Sequence, residues 1–222
     1  MLPKFLLFSL LGLTHVSAAP SDGHLIRRQF KDYGVEILEW EIQAFPSGPT
    51  LVLNGTIEEV NDQLLKINPN FAVDFSSELG EGMDFVGDSP AEPSVEKRTD
   101  FSGSRYMCDT RDWVPCYTNR IKNGISHLRR TSGRPKNGPG PGNCGRVSCS
   151  GRSAIWWCND ERSTKELGAF SSIADGAQYL VDRCQIGRGL IAKMAGQVFH
   201  KTNWNVIVRY DDNNCGTFGP SE

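Results

Sequence analysis

Cysteine is absent from the first 107 residues of this 222-residue chain, and all seven cysteines lie at or after residue 108. The chain also has no apolar run, after its first residues, that approaches the roughly 18 to 20 residues of a membrane-spanning helix. We therefore expect no transmembrane segment. The uneven distribution of cysteine indicates that two parts with different folding chemistry are joined in one polypeptide.

The common motifs of metal sites and of one class of hydrolase are missing. No Cys-x-x-Cys pair occurs and no two histidines have helical ligand spacing, so we expect no bound metal. Gly-x-Ser-x-Gly, the elbow of many serine hydrolases, is also absent. No pattern in the chain indicates a cofactor.

The first 19 residues have the layout of a signal peptide. A positive charge at Lys4 precedes an apolar run over 5–13, and Ser17, Ala18 and Ala19 supply small residues at its end. The sequence therefore predicts a secreted, extracellular protein.

The clustered cysteines favour a disulfide framework, because a secreted chain meets an oxidising environment. They are Cys108, Cys116, Cys144, Cys149, Cys158, Cys184 and Cys215. Three bridges and one spare cysteine can be arranged in 7 × 15 = 105 ways, and the sequence does not choose among them. The spare thiol is either buried, paired with another chain or bonded to a partner.

Charge changes sign at the dibasic pair Lys97-Arg98. Residues 19–98 hold 6 Lys+Arg against 15 Asp+Glu, a net of −9, whereas residues 99–222 hold 17 against 11, a net of +6. Opposite charge favours association, so we interpret 20–98 as an acidic pro-segment that masks a basic mature domain at 99–222. The alternative is that two unrelated linked segments differ in charge by chance.

The pro-segment itself is predicted to form a small α+β unit. Strands are expected over 35–42 and 50–54, and a helix over 57–67 follows the capping-box pattern Thr-x-x-Glu that begins at Thr56. Residues 76–95 are predicted to be an exposed connector. Asn54 begins the one glycosylation sequon.

The mature part alternates strand and helix signals. Strands are expected over 104–108, 145–149, 153–158, 195–199 and 204–210, and helices over 115–129 and from a serine cap near 171 to Cys184. This order predicts an α+β fold: a disulfide-stapled two-layer α/β sandwich of split βαβ type, with two helices on an antiparallel sheet.

Two groups of residues are candidates for contact with a partner. Arg129, Arg130, Arg134 and Lys136 lie in or beside a Gly- and Pro-rich loop, which is either an ordinary solvated loop or a basic contact surface. Trp156 and Trp157 point to opposite faces of one strand, which is typical of a central strand covered on both sides. The alternative is that one indole stays exposed as an anchor.

An enzymatic interpretation depends on the two histidines after Arg98. His127 and His200, assisted by Glu166 or Asp160, would form an acid-base set of ribonuclease type if they met. The simpler interpretation places His127 at a helix end, where a cation interacts well with the helix dipole. Asp160 then belongs to an ordinary Asn-Asp turn.

Several strings in the mature part resemble, in the same order, small secreted cysteine-rich proteins of filamentous fungi. They are GNCGRVSCS (142–150), SAIWWCND (153–160), IADGA (173–177), GQVF (196–199) and WNVIV (204–208). The arrangement of elements is similar to that of secreted killer toxins with an α/β-sandwich fold. The resemblance implies an effector-like or killer-toxin-like protein, and Lys97-Arg98 then fits kexin-type cleavage.

We therefore predict a secreted protein that acts by binding and without catalysis. Its partner is an extracellular protein, a cell wall or a membrane, in addition to its own acidic pro-segment, and no nucleic acid is expected. The runner-up is a small secreted hydrolase such as a ribonuclease-like toxin. A structural or adhesive wall protein is the third class.

Overall fold

The computed structural model describes residues 34–75, 98–108, 113–211 and 215. The predicted signal peptide, the predicted connector over 76–95 and Lys97 lie outside these ranges. Within them the chain is a mixed α+β protein with three disulfides, as the sequence predicts.

The described elements follow one another in a regular alternation. The helices are α1 (Ile57–Ile67), α2 (Phe71–Asp74), α3 (Thr118–Arg130) and α4 (Ser171–Cys184), with a 3-10 turn at Gly189–Ile191. The strands are β1 (Gly34–Glu36), β2 (Glu39–Gln43), β3 (Thr50–Asn54), β4 (Tyr106–Cys108), β5 (Cys116–Tyr117), β6 (Lys136–Asn137), β7 (Asn143–Ser150), β8 (Ser153–Asn159), β9 (Lys165–Glu166), β10 (Lys193–Met194), β11 (Gly196–His200) and β12 (Trp204–Tyr210).

The main sheet has six strands in the order β1-β7-β8-β12-β11-β4. β1 runs parallel to β7, and every other neighbouring pair is antiparallel. Consequently β4 and β7, which flank α3 in the chain, run in the same direction with three strands between them. In the same way α4 connects β8 to β11 across β12. Three two-stranded pairs, β2-β3, β5-β10 and β6-β9, complete the fold.

Local sequence signals explain α1 well. The Thr56 hydroxyl accepts from the Glu59 backbone N–H at 3.4 Å, and the Glu59 carboxylate accepts from the Thr56 N–H at 2.7 Å. The capping box and the helix bounds predicted from the sequence are therefore confirmed.

The other two long helices differ from prediction at their starts. α3 begins at Thr118 rather than near Pro115, because Cys116 and Tyr117 pair with β10 as strand β5. α4 has no serine cap: its N-cap is Phe170, without a side-chain cap bond. At the start of α3, a strand pairing between distant residues overrides the local signal.

The strand predicted over 35–42 is in fact two strands. β1 pairs with β7 of the main sheet, whereas β2 pairs with β3 in a separate hairpin. The chain changes strand partner between β1 and β2, and Ile37 and Leu38 belong to neither strand. The Leu38 carbonyl accepts from the Gly55 N–H at 3.1 Å instead of joining either ladder.

Both faces of β8 are covered. Ile155 and Trp157 lie in the core under α3 and α4, whereas Trp156 and Cys158 belong to a second cluster on the other face. Trp156 and Trp157 are each completely buried, so the alternative of an exposed indole anchor is wrong for this structure. Both indoles serve as core, because a central strand buries both of its faces.

The bridges are Cys108–Cys184, Cys144–Cys158 and Cys149–Cys215. Cys116 is the free cysteine, and it is buried. Burial raises the pKa of the Cys116 thiol to about 12, because the interior disfavours the thiolate. The sequence left three possibilities for the spare thiol: burial, pairing with another chain or a bond to a partner. The structure shows that the thiol is buried.

We expect the Cys116 thiol to be unreactive in the folded protein, because the thiolate is the reacting species and this thiol is both buried and protonated. A thiol reagent at pH 8 should label no cysteine in the native protein and one cysteine after unfolding without reductant, as counted by mass spectrometry. Cys116→Ser should remove that single label. Rapid labelling of the native protein would contradict the burial.

Candidate functional site

Residues 34–75 are the described part of the predicted pro-segment, and we call them the acidic segment. Their first strand, β1, lies beside β7 at one edge of the main sheet. Gly34, Val35 and Glu36 pair in parallel with residues 143–145. The Glu36 carboxylate accepts from the Gly138 N–H at 2.9 Å and from the Asn143 side-chain amide at 2.7 Å. One strand and one carboxylate therefore satisfy donors at the start of the β7 edge.

Glu58, in the first turn of α1, covers the other end of β7. Its carboxylate accepts from the Ser148 hydroxyl at 2.6 Å and from the Cys149 N–H at 2.9 Å. The His127 ring lies 4.0 Å from the same carboxylate. Because β1 stops at Glu36, Glu58 takes the place of a further strand for the Cys149 N–H, which would otherwise lie unpaired on a sheet edge.

Apolar contacts dominate the rest of this junction. Leu38, Trp40, Val60 and Leu64 are each at most 2% exposed and lie in the same core cluster as α3 and α4. The Trp40 ring stacks on Phe170 with the centroids 4.1 Å apart and the planes 4° from parallel. The acidic segment and the cysteine-rich part therefore share one hydrophobic core.

Glycine permits the closest approach at this junction. Gly145 of β7 lies directly under the Leu38 side chain, where a Cβ atom would overlap with Leu38. Beside it, an open cleft of about 470 Å³ between β1 and α1 is lined by four carboxylates together with Arg146 and Trp156. Arg146 lies 4.0 Å from Glu59 and 3.3 Å from Asp211, so it links α1 to the residue that directly follows β12.

The predicted basic candidates have separate environments. Arg129 Nη1 lies 2.8 Å from Asp175 Oδ1, and Arg134 Nε lies 2.9 Å from Glu166 Oε1. Arg130 and Lys136 are exposed, and Lys136 belongs to β6. Part of the predicted Gly- and Pro-rich loop is thus ordered as the β6-β9 pair.

The candidate acid-base residues have different partners. His127 lies in the last turn of α3, as the sequence predicts, and faces Glu58. His200 Nδ1 lies 2.9 Å from the Thr202 hydroxyl, and burial lowers its pKa. Glu166 pairs with Arg134, and Asp160 accepts from the Asn205 amide at 2.8 Å. No contact in the described ranges joins the two histidines.

Sequence reasoning missed one exposed surface, which we call the apolar tip: Ile186, Leu190 and Ile191. Their exposed fractions are 60%, 79% and 79%. The surrounding stretch, residues 183–193, contains three cations, Arg183, Arg188 and Lys193, and no acidic residue. An apolar pair in a cation-rich, glycine-containing stretch was the signal that could have indicated it.

The apolar tip has a fixed base. Ile186 and Lys193 exchange backbone hydrogen bonds of 2.8 and 3.0 Å, and the Ala192 carbonyl accepts from the Thr118 N–H at 2.9 Å. Gly187 and Gly189 have φ angles of 79° and 63°, which glycine adopts readily. The tip is therefore a short ordered loop with a hydrogen-bonded base, and it exposes aliphatic side chains.

No family model, curated protein or solved structure matches this chain. Among the helices of the described ranges, none combines the length and the apolar character needed to cross a membrane. Any function proposed for the chain must therefore be argued from its own geometry.

We expect Glu58→Ala to lower the free energy of unfolding of the uncut chain by about 1 to 3 kcal/mol, because it removes the acceptor of the Ser148 hydroxyl and the Cys149 N–H. Urea unfolding monitored by tryptophan fluorescence would measure the change. Asp62→Ala, on an exposed position of the same helix, is the matched control. Equal effects of the two substitutions would show that Glu58 does not stabilise the β7 edge.

Proposed function

We propose that this chain is the precursor of a secreted, effector-like or killer-toxin-like protein that acts outside the cell by binding. In this proposal a kexin-type protease cuts after Arg98, and the part that follows is a disulfide-stapled two-layer sandwich. The signal pattern, the dibasic pair and the three bridges support secretion and processing. Arg98 is exposed, as a cleavage site must be.

The observation that carries the binding proposal is the apolar tip. Leu190 and Ile191 are 79% exposed side by side on a turn whose base is hydrogen-bonded. Large aliphatic side chains displayed together in this way mark interaction surfaces. The dispersed environments of His127 and His200 favour binding over acid-base chemistry.

The charge around the tip favours a partner of one class, an anionic lipid surface. Aliphatic side chains at a tip with cations around them suit the boundary between acyl chains and acidic headgroups. Tyr117 adds an amphipathic ring beside the tip. Its side chain is 45% exposed, and its ring centroid lies 5.2 Å from the Lys193 ammonium. The tip stays exposed with the acidic segment in place, so membrane contact does not require loss of that segment.

The acidic segment is the first partner of the cysteine-rich part. Fully burying a large apolar side chain is worth about 1.5 to 3 kcal/mol, and the shared core contains five such side chains of the segment: Leu38, Trp40, Ile57, Val60 and Leu64. We propose that the segment therefore remains attached, without a covalent bond, after cleavage at Arg98.

The two chains of the cut protein should elute together in native gel filtration and separate only under denaturing conditions. Trp40→Ala removes the ring that stacks on Phe170, which should cost about 3 to 5 kcal/mol and release the segment from the peak. Phe45→Ala, at a partly exposed position of the same segment, should leave co-elution unchanged. Separation of the two wild-type chains on cutting would refute retention.

Protein purified from culture medium should sediment with vesicles that contain acidic phospholipid, and much less with neutral vesicles. The double substitution Leu190→Ser and Ile191→Ser should weaken sedimentation at least about tenfold, because it removes the apolar groups that enter the bilayer boundary. Val52→Ser, which changes an exposed aliphatic residue elsewhere, is the control. Absence of binding to either vesicle would exclude a lipid partner and favour a protein or wall target.

The hydrolase alternative predicts a different result for the same preparations. Incubation with RNA should leave the RNA intact under the binding proposal. RNA degradation that is lost in His127→Ala or His200→Ala would overturn it.

A further inference from the structure

The backbone nitrogen of Thr99 is placed against a buried carboxylate. It lies 2.7 Å from Asp175 Oδ2, and the Thr99 hydroxyl donates to the Ser172 hydroxyl at 2.8 Å. Thr99 is the residue that directly follows the dibasic pair. The nitrogen that would become an α-amino group on cleavage after Arg98 therefore already has an anionic partner.

Asp175 is suited to hold a cation at this position. Its side chain is 7% exposed, and each of its oxygens has a separate partner, Arg129 at Oδ1 and Thr99 at Oδ2. In the uncut chain one of these partners is a guanidinium and the other is a neutral amide. Buried carboxylates are stabilised by charged hydrogen-bond donors more strongly than by neutral ones.

The neighbouring residue Phe101 fixes the position of this short stretch. Phe101 is 3% exposed, and its ring packs against Trp204, His200 and Tyr179 at centroid distances of 5.4, 5.1 and 6.0 Å. Thr99, two residues earlier, is only half-buried. A new ammonium group could therefore keep one bond to Asp175 and direct its other hydrogens to water, without any movement of the chain.

We propose that Asp175, supported by Arg129 and Ser172, is the binding site for the amino terminus that cleavage after Arg98 creates. Hydrolysis of the Arg98–Thr99 bond adds water: the carboxylate stays on Arg98, and the Thr99 nitrogen becomes an ammonium group at neutral pH. Its hydrogen bond to Asp175 then becomes a charged one, which is about twice as strong as a neutral bond. A terminus with one extra residue would place the charge elsewhere and keep only the neutral bond.

This inference rests on the proposed processing, and it can be tested independently of the natural protease. The residues before Thr99 are replaced by the recognition sequence of a specific protease, so that the purified chain can be cut to begin at Thr99 or at one added glycine before it. Each product is made with Asp175 and with Asp175→Asn. All four proteins are cut once, between the acidic segment and the part that follows it. They differ only in the first residue after the cut and in the side chain at position 175.

Thermal unfolding of the four proteins should show coupling between the terminus and Asp175. The added glycine should lower the melting temperature by about 3 °C when Asp175 is present, and by less than about 1 °C in Asp175→Asn. The terminal amine of Thr99 should also react with an acylating reagent at pH 7 about tenfold more slowly than the terminal amine of the added glycine, because its lone pair is protonated and bound. Asp182→Asn, at an exposed position of the same helix, should behave as the Asp175 protein does.

An equal effect of the glycine with and without Asp175, together with equal acylation rates, would overturn the site. If Asp175→Asn does not fold, the acylation rates of the two termini in the Asp175 protein decide the question. Sequencing the amino terminus of the protein from culture medium tests the processing separately. A natural terminus other than Thr99 would overturn the proposed cleavage and the use of this site, whereas coupling in the engineered proteins would still show that Asp175 binds the amine.

Discussion

The structure depends above all on a hydrophobic core to which both halves of the chain contribute. The cluster that holds the buried faces of α3 and α4 also contains Leu38, which directly precedes β2, Trp40 of β2, and Val60 and Leu64 of α1. The burial free energy of four such side chains is comparable with the net stability of a typical domain. The acidic segment is therefore part of the folding unit and more than a mask for charge.

Electrostatics has a smaller and more local part in this junction than the charges of the two halves suggest. Glu36 accepts from the Gly138 N–H and the Asn143 amide, and Glu58 accepts from the Ser148 hydroxyl and the Cys149 N–H, all of which are uncharged donors. The one ionisable group beside these two carboxylates in the described ranges that carries an ion-pair contact is the His127 ring, 4.0 Å from Glu58. Charged acceptors at a sheet edge satisfy backbone N–H groups and block pairing with another chain. The acidic segment thus covers the β7 edge of the sheet, whose backbone donors the three disulfides do not satisfy.

The apolar tip has a different character from the β7 edge. The apolar tip lies beyond Cys184, which is joined to Cys108, and its base is held by hydrogen bonds between Ile186 and Lys193. Rigid display lowers the entropy that a binding loop loses on contact with its partner. The proposed binding function therefore depends on the exposed tip, whereas the shared core and the covered β7 edge account for the stability of the fold.

The sequence by itself determined the local elements. The helix at Ile57–Ile67 follows from its capping box and apolar spacing, and the β7-β8 hairpin from two apolar strands around Ser150-Gly151-Arg152. These signals act over about four residues, so they can be recognised without knowledge of the fold. Residues 35–42 and the start of α3 were predicted less well, because the strand partners that set their limits are distant in sequence.

Only the tertiary structure decided which cysteines pair, which thiol stays free and which tryptophans are buried. The same is true of the contact between Thr99 and Asp175, which are 76 residues apart. The sequence showed an acidic residue near a helix start and a dibasic pair, and nothing in either pattern linked them. Contacts between distant residues depend on how whole elements pack, and neither periodicity nor spacing along the chain encodes that packing.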